Sequence, residues 1–175
     1  IQEGTVTQVL DQVEVHPGDV FFIQAGTIHA IGAGILICEI QQSSNCTYRL
    51  YDYNRKDKYG NYRELHLDKA LAVMDYNRYE VQRFDSETIE TSAYVCHILS
   101  RCKYFECISC RLHGTYQLEG DGNSFYSVLC VQGEAALRCG EGGNGAELAM
   151  KAGDSVFIPA GERKFLLEGD GELII

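Results

Sequence analysis

The sequence predicts an all-β protein of two related modules, the first partial and the second complete, joined by a short helical segment. Three observations carry that expectation. Short runs rich in β-branched and aromatic residues alternate with Gly, Asn and Asp clusters, at the spacing of an antiparallel barrel or sandwich. One motif occurs twice, at 16–31 and 151–166. A single stretch, 63–76, has helical rather than strand periodicity.

The first strand-like runs are "DVFFI" (19–23), "GILICEIQ" (34–41) and "TYRLYDY" (47–53). "RELHLDKALAVMDY" follows, with Leu67, Ala70, Leu71 and Met74 at helical spacing, and reads as one amphipathic helix covering the end of a barrel. "YFECISCRL", "FYSVLCV", "EAALRC", "DSVFIP" and "KFLLEG" then supply the strands of a second module, with "QGE" (132–134) expected as a hairpin turn. The repeat pairs "HPGDVFFIQAGTIHAI" with "KAGDSVFIPAGERKFL". In each copy a Gly-Asp pair makes a turn, a short apolar strand follows, and an Ala-Gly pair makes a second turn. His29 of the first copy is replaced by Lys164 in the second. The expected organisation is a partial module over 1–55, a helical or irregular link over 56–86, and a complete module over 87–175. A closed barrel needs about eight strands, and residues 1–55 hold too few. The Ile1 start and the apolar "GELII" end read as interior to a longer chain.

With 175 residues the chain is long enough for a sizeable core. A net charge of −10 argues against nucleic acid or an anionic membrane as partner. No apolar run approaches the ~20 residues of a membrane span, and no secretory signal pattern is visible. Four of the eight cysteines, Cys38, Cys96, Cys107 and Cys130, lie in apolar runs where a reduced thiol packs as a small hydrophobe. Cys102, Cys107 and Cys110 lack the second cysteine pair of a structural zinc site. Reduced thiols and a cytoplasmic location are the expectation. His16, His66, His97 and His113 have no ligand spacing to one another, and His113 reads as a turn residue. The open edges of an incomplete barrel invite pairing between copies through residues 1–55.

The Gly-Asp, strand, Ala-Gly and histidine arrangement resembles the second motif of cupins, the double-stranded β-helix or jelly-roll fold. The longer string "PGDVFFIQAGTIHAIGAGILICEIQQSSNCTYRLYDYNR", followed by "RELHLDKAL", resembles the type I mannose-6-phosphate isomerases of the short bacterial class. The resemblance continues through the second module. Gln24 stands where the motif usually has Pro, while the second copy keeps Pro159.

That resemblance implies zinc-dependent interconversion of mannose 6-phosphate and fructose 6-phosphate. It makes 1–55 the second half of a catalytic cupin and 87–175 a non-catalytic one. It implies that His29 is a zinc ligand. The family's other ligands belong to a Q-x-H-P motif, absent from this sequence, and a glutamate. Aldose–ketose isomerisation passes through an enediolate, needing a base and positive charge near the developing oxyanion. Arg49, permanently cationic, matches the family's active-site arginine. Glu39 would share a strand face with Ile35, Ile37 and Gln41, pointing into the barrel, and by resemblance acts as base or orients substrate. Tyr48, Tyr51 and Asp52 are expected to line the same mouth. With one zinc ligand of four, the isolated chain is expected to be inactive. A non-catalytic sugar-binding or regulatory cupin is the other reading.

Overall fold

The computed structural model describes residues 5–80, 87–139, 145–161 and 163–175. Residues 1–4 and 81–86, within the expected first module and link, and Glu162 of the repeat lie outside them. The chain divides into two compact units, Ile1–Gln82 and Arg83–Ile175.

The second unit is an antiparallel sheet. Its strands are β1 (Thr88–Glu90), β2 (Tyr94–Arg101), β3 (Glu106–Glu119), β4 (Tyr126–Cys139), β5 (Glu147–Lys151), β6 (Ser155–Ile158) and β7 (Lys164–Ile174). They run in the order β1-β2-β3-β7-β4-β5, and β6 pairs with β4. Alternation decides which side chains face inward. On β3, Cys110, Leu112 and Leu118 are buried; on β7, Phe165, Leu167 and Leu173 are. Register brings these together. Cys96 lies opposite Cys110, Cys110 opposite Leu173, and Leu173 opposite Cys130, one apolar rung across four strands. Burying each of Leu112, Leu167 and Leu173 contributes about 1.5–3 kcal/mol.

β4 corrects the expectation of a hairpin at "QGE". Tyr126–Cys139 is one continuous strand with a register shift between Cys130 and Gln132. Even positions, Val128 and Cys130, are buried before the shift; odd positions, Ala135 and Leu137, are buried after it. One extra residue flips the parity of a strand. β4 thereby pairs β6 with its first half and β5 with its second. Gly133 sits at the bend with φ 74°, where a Cβ would come within 2.3 Å of the Asp170 carbonyl oxygen. His113 is likewise not in a turn. It lies within β3 opposite Asp170, its Nδ1 3.4 Å from the Asp170 carboxylate.

The first unit is built differently. None of its three expected strands pairs into a sheet: 19–23, 34–41 and 47–53 run without ladder partners among the described residues. An extended segment becomes a strand only when a neighbour takes its backbone N–H and C=O groups. The apolar side chains are correspondingly bare, with Leu36 99% and Ile37 47% exposed. The helix forms as α1, Leu67–Val73, and buries Ala70, but Leu71 faces solvent. Val6, Leu50 and Ala70 make a small core, with Ile28, Tyr51 and Leu67 packed on it. The Gly26 carbonyl accepts the Asp75 N–H at 2.9 Å, tying the second turn of the repeat to the end of α1.

The Gly-Asp turn is the same object in both units. Asp19 N–H donates to the His16 carbonyl at 3.1 Å and His16 N–H to the Asp19 carboxylate at 2.7 Å. Asp154 and Lys151 repeat both bonds, each at 2.9 Å. Gly18 and Gly153 have φ of 95° and 94°, where glycine meets no steric penalty.

Truncating the buried core and a bare side chain separates the two kinds of architecture. Leu167→Ala is expected to destabilise the second unit by about 2–5 kcal/mol, read from its denaturant midpoint. Leu36→Ala is expected to leave unfolding unchanged.

Candidate active site

The segment 48–66 assembles around Leu50. Leu50 enters the small core and Tyr51 packs on it, with Arg49 beside them in the chain. Arg49 and His66 bind each other through the backbone. His66 N–H donates to the Arg49 carbonyl at 2.8 Å, and Arg49 N–H donates to His66 Nδ1 at 3.1 Å. The Arg49 guanidinium, 21% exposed, donates from Nη1 to the Glu64 carbonyl at 3.0 Å.

Asp52 is the centre of the cluster. It is buried at 7% exposure, and its Oδ1 faces three guanidiniums: Arg55 Nη2 at 2.5 Å, Arg63 Nη1 at 3.5 Å and Arg49 Nε at 4.0 Å. Its Oδ2 is buried without a hydrogen-bond partner among the described residues. The hydrogen bond from Arg55 holds the Asp52 carboxyl below the usual carboxylate range. Burial opposes this, and the charges of Arg55, Arg63 and Arg49 reinforce it.

A tight turn delivers Arg55. Arg55 N–H donates to the Asp52 carbonyl at 3.0 Å, and Tyr53 and Asn54 between them both have φ of 53°. Positive φ at both central residues marks a type I′ turn, normally made by Asn and Gly. Asn tolerates this region, but for Tyr53 it costs about 1–2 kcal/mol. The Tyr53 ring packs on Tyr51, centroids 5.1 Å apart, and under the Arg55 guanidinium at 5.8 Å.

The structure thus brings Arg49 and Asp52 together and places Tyr51 beside Tyr53. Tyr48 stands 6.2 Å from the His66 ring, and its hydrogen bond to Cys46 raises its phenol pKa. Sequence reasoning missed Arg55, Arg63 and His66. The dense basic run from Arg49 to Arg63, in an acidic chain, was the available signal. No hydrogen bond, ion pair or ring contact among the described residues joins His29 or Glu39 to this cluster. Glu39 is exposed, as are Ile35 and Ile37, so the expected inward-facing strand does not form in this chain. No ladder partner of 34–41 lies among the described residues.

His29 is also exposed, but its ring is oriented. Nδ1 lies 2.9 Å from the Thr27 carbonyl oxygen, which can only accept, so Nδ1 donates and the bond fixes the ring. Metal-binding histidines are commonly fixed this way. Its neighbour Ile28 packs against the same core as Leu50, next to Arg49. Among the described residues no three His, Cys, Asp or Glu side chains gather as a metal site. Among the described residues no disulfide joins any two cysteines; Cys96, Cys107, Cys110 and Cys130 are buried and Cys38 is exposed. Among the described residues no helix is long and apolar enough to cross a membrane.

The sign of the Asp52 effect on stability follows from its lowered pKa. The native state holds the carboxylate ionised, so the stabilisation is present above the ordinary value of about 3.9 and is lost as pH falls through the lower native value. Asp52→Asn is expected to weaken the 48–66 segment at neutral pH and to flatten its acid dependence. Proton NMR of that segment from pH 7 to pH 2 measures both; an unaltered acid loss in the variant contradicts the assignment.

Residues 95–175 match the model of the mannose-6-phosphate isomerase cupin domain. Along its whole length the chain is 37% identical to the mannose-6-phosphate isomerase ManA of Bacillus subtilis (strain 168), covering 54% of that protein. It is 29% identical to the mannose-6-phosphate isomerase of Streptococcus mutans, covering 53% of it. A crystal structure of the Bacillus subtilis mannose 6-phosphate isomerase superposes with a TM-score of 0.64 at 26% identity, over 76% of this chain and 40% of that one. The chain spans about half the length of the curated relatives it matches. Residues 95–175 thus match the cupin domain of mannose-6-phosphate isomerases, and the chain is similar along its whole length to one half of these enzymes.

Proposed function

We propose that the chain forms the arginine-bearing part of an isomerase interconverting mannose 6-phosphate and fructose 6-phosphate. The observation that carries this reading is the coupling of His29 and Arg49. Ile28 and Leu50, their immediate neighbours, share one small core, so a candidate ligand and a fixed guanidinium are held by the same packing. In this reading Arg49 faces the oxyanion that develops as the proton moves between adjacent carbons, and its tether to the Glu64 carbonyl lowers the cost of orienting it. Glu39 is the carboxylate assigned to proton transfer. Tyr48 and Tyr51 offer hydroxyls and ring faces to the sugar. Asp52 acts through Arg49 and Arg55 rather than on the sugar, because Arg contacts occupy Oδ1 and Oδ2 is buried.

Zinc is the metal the family implies, and it would polarise a carbonyl or hold substrate oxygens. The residues described here supply one oriented candidate ligand, His29, and do not by themselves make a zinc site. No step is therefore assigned to the metal. Mannose 6-phosphate and fructose 6-phosphate are the proposed substrates, and the cytoplasm, where sugar phosphates are turned over, the proposed location.

Turnover measurements decide between an isomerase component and a non-catalytic sugar binder. The chain alone is expected to be inactive. Mixed with a polypeptide matching the remaining half of the Bacillus subtilis relative, it is expected to interconvert the two sugar phosphates. Arg49→Ala is then expected to lower kcat by about 10²–10³-fold. Sugar-phosphate binding without turnover in the reconstituted mixture would favour the binder and sink the isomerase reading.

A further inference from the structure

The region from Arg49 to Arg63 is an electropositive island. Arg49, Arg55, Lys56, Lys58 and Arg63 stand there against two carboxylates, Asp52 and Asp57, in a chain whose net charge is −10. Asp57 is committed to the loop itself, accepting the N–H groups of Tyr59 and Asn61 at 2.8 and 2.9 Å. Three guanidiniums then converge within 4.0 Å of a single Asp52 oxygen. One carboxylate cannot neutralise three fixed cations, and the two unbalanced positive charges repel each other.

The chain goes to some length to keep that arrangement. The Tyr53–Asn54 turn takes two non-glycine residues to positive φ, and its result is to fold the Arg55 guanidinium back onto Asp52. Strain of this kind persists where the surrounding structure enforces it and is concentrated at ligand sites. The Arg55 and Arg63 side chains remain 62% and 52% exposed, so their other N–H donors face solvent. Paired guanidinium forks match the oxygens of a tetrahedral dianion.

We propose that Arg55 and Arg63, held by Asp52, form a binding site for a phosphate monoester dianion. The inference rests on the isomerase reading for the identity of the ligand, the phosphate of a sugar phosphate, but not for the site. Arg49 is left for the reacting end of the sugar. The pair supplies affinity and fixes the position of one end of the substrate.

Calorimetric titration of the 175-residue chain with mannose 6-phosphate, inorganic phosphate and mannose tests this. Mannose 6-phosphate and inorganic phosphate are expected to bind, in proportion to their dianionic form and more weakly as salt rises, and mannose is not. Tighter binding of the ester identifies a sugar-phosphate site; equal binding identifies a site for the phosphoryl group alone, and both support the proposal. Arg55→Ala with Arg63→Ala is expected to weaken phosphate binding at least tenfold, while Lys103→Ala in the second unit leaves it unchanged. Arg55→Lys with Arg63→Lys keeps the charge that Asp52 needs but removes the fork, and a several-fold loss is expected should the alanine variant fail to fold. Undiminished phosphate binding in the lysine variant, or mannose binding as tightly as its phosphate, overturns the site. A reconstituted enzyme that turns over with unchanged KM after these substitutions removes this inference and leaves the isomerase reading intact. Phosphate binding that depends on the two arginines, without any turnover, does the reverse.

Discussion

Backbone pairing is the constraint on which the rest of this structure depends. An extended segment carries a row of N–H and C=O groups, and it is a stable strand only when another segment takes them. In the second unit β3, β7 and β4 satisfy one another along nearly their whole lengths, and the apolar rungs from Cys96 to Cys130 close over the result. In the first unit 19–23, 34–41 and 47–53 have equally strand-like composition and no ladder partner among the described residues. The same residue types therefore yield two states in one chain. Local propensity is similar in both, and the presence of a neighbour decides the outcome.

What holds the first unit in place of a sheet is polar as much as apolar. Leu50, Ala70 and Val6 make too small a core to fix 48–66 alone. The reciprocal bonds between Arg49 and His66 and the three guanidiniums around Asp52 complete the work. A buried carboxylate with several cationic partners is expensive to assemble and costly to break. That asymmetry suits a site whose geometry matters more than its net stability. It also fits Asp52 as a residue that positions arginines.

The all-β class, the helix over 67–73 and the repeated Gly-Asp turn were legible in the sequence because each rests on local chemistry. Gly18 and Gly153 must adopt positive φ, and Asp19 and Asp154 must cap the same N–H, whatever surrounds them. The bend in β4 was not legible, since "QGE" has the composition of a hairpin turn and only pairing with β7 keeps the strand continuous. His113 was misplaced for a related reason: its neighbour Gly114 suggests a turn, yet β3 runs straight through it. The turn at Tyr53 and Asn54 was hidden because Tyr53 does not advertise positive φ and Asn54 alone, without a following glycine, is a weak signal. At the site, Arg49 and Asp52 were reached through a motif, whereas Arg55 and Arg63 join them only once that turn is made. His29 keeps the orientation a ligand needs while the inward face expected for Glu39 is missing, because a ring can be fixed by one carbonyl but a strand face needs a neighbouring strand.

The central claim is that the strand-like runs within 19–53 lack ladder partners among the described residues, whereas the second unit pairs its own strands. Amide hydrogen exchange, measured on the chain alone and after mixing with a polypeptide matching the remaining half of the Bacillus subtilis relative, tests it most directly. The account predicts rapid exchange over 19–53 in the chain alone, slow exchange in β3, β4 and β7, and new protection confined to 19–53 on mixing. Slow exchange over 19–53 in the isolated chain, or no protection there in the mixture, would contradict it.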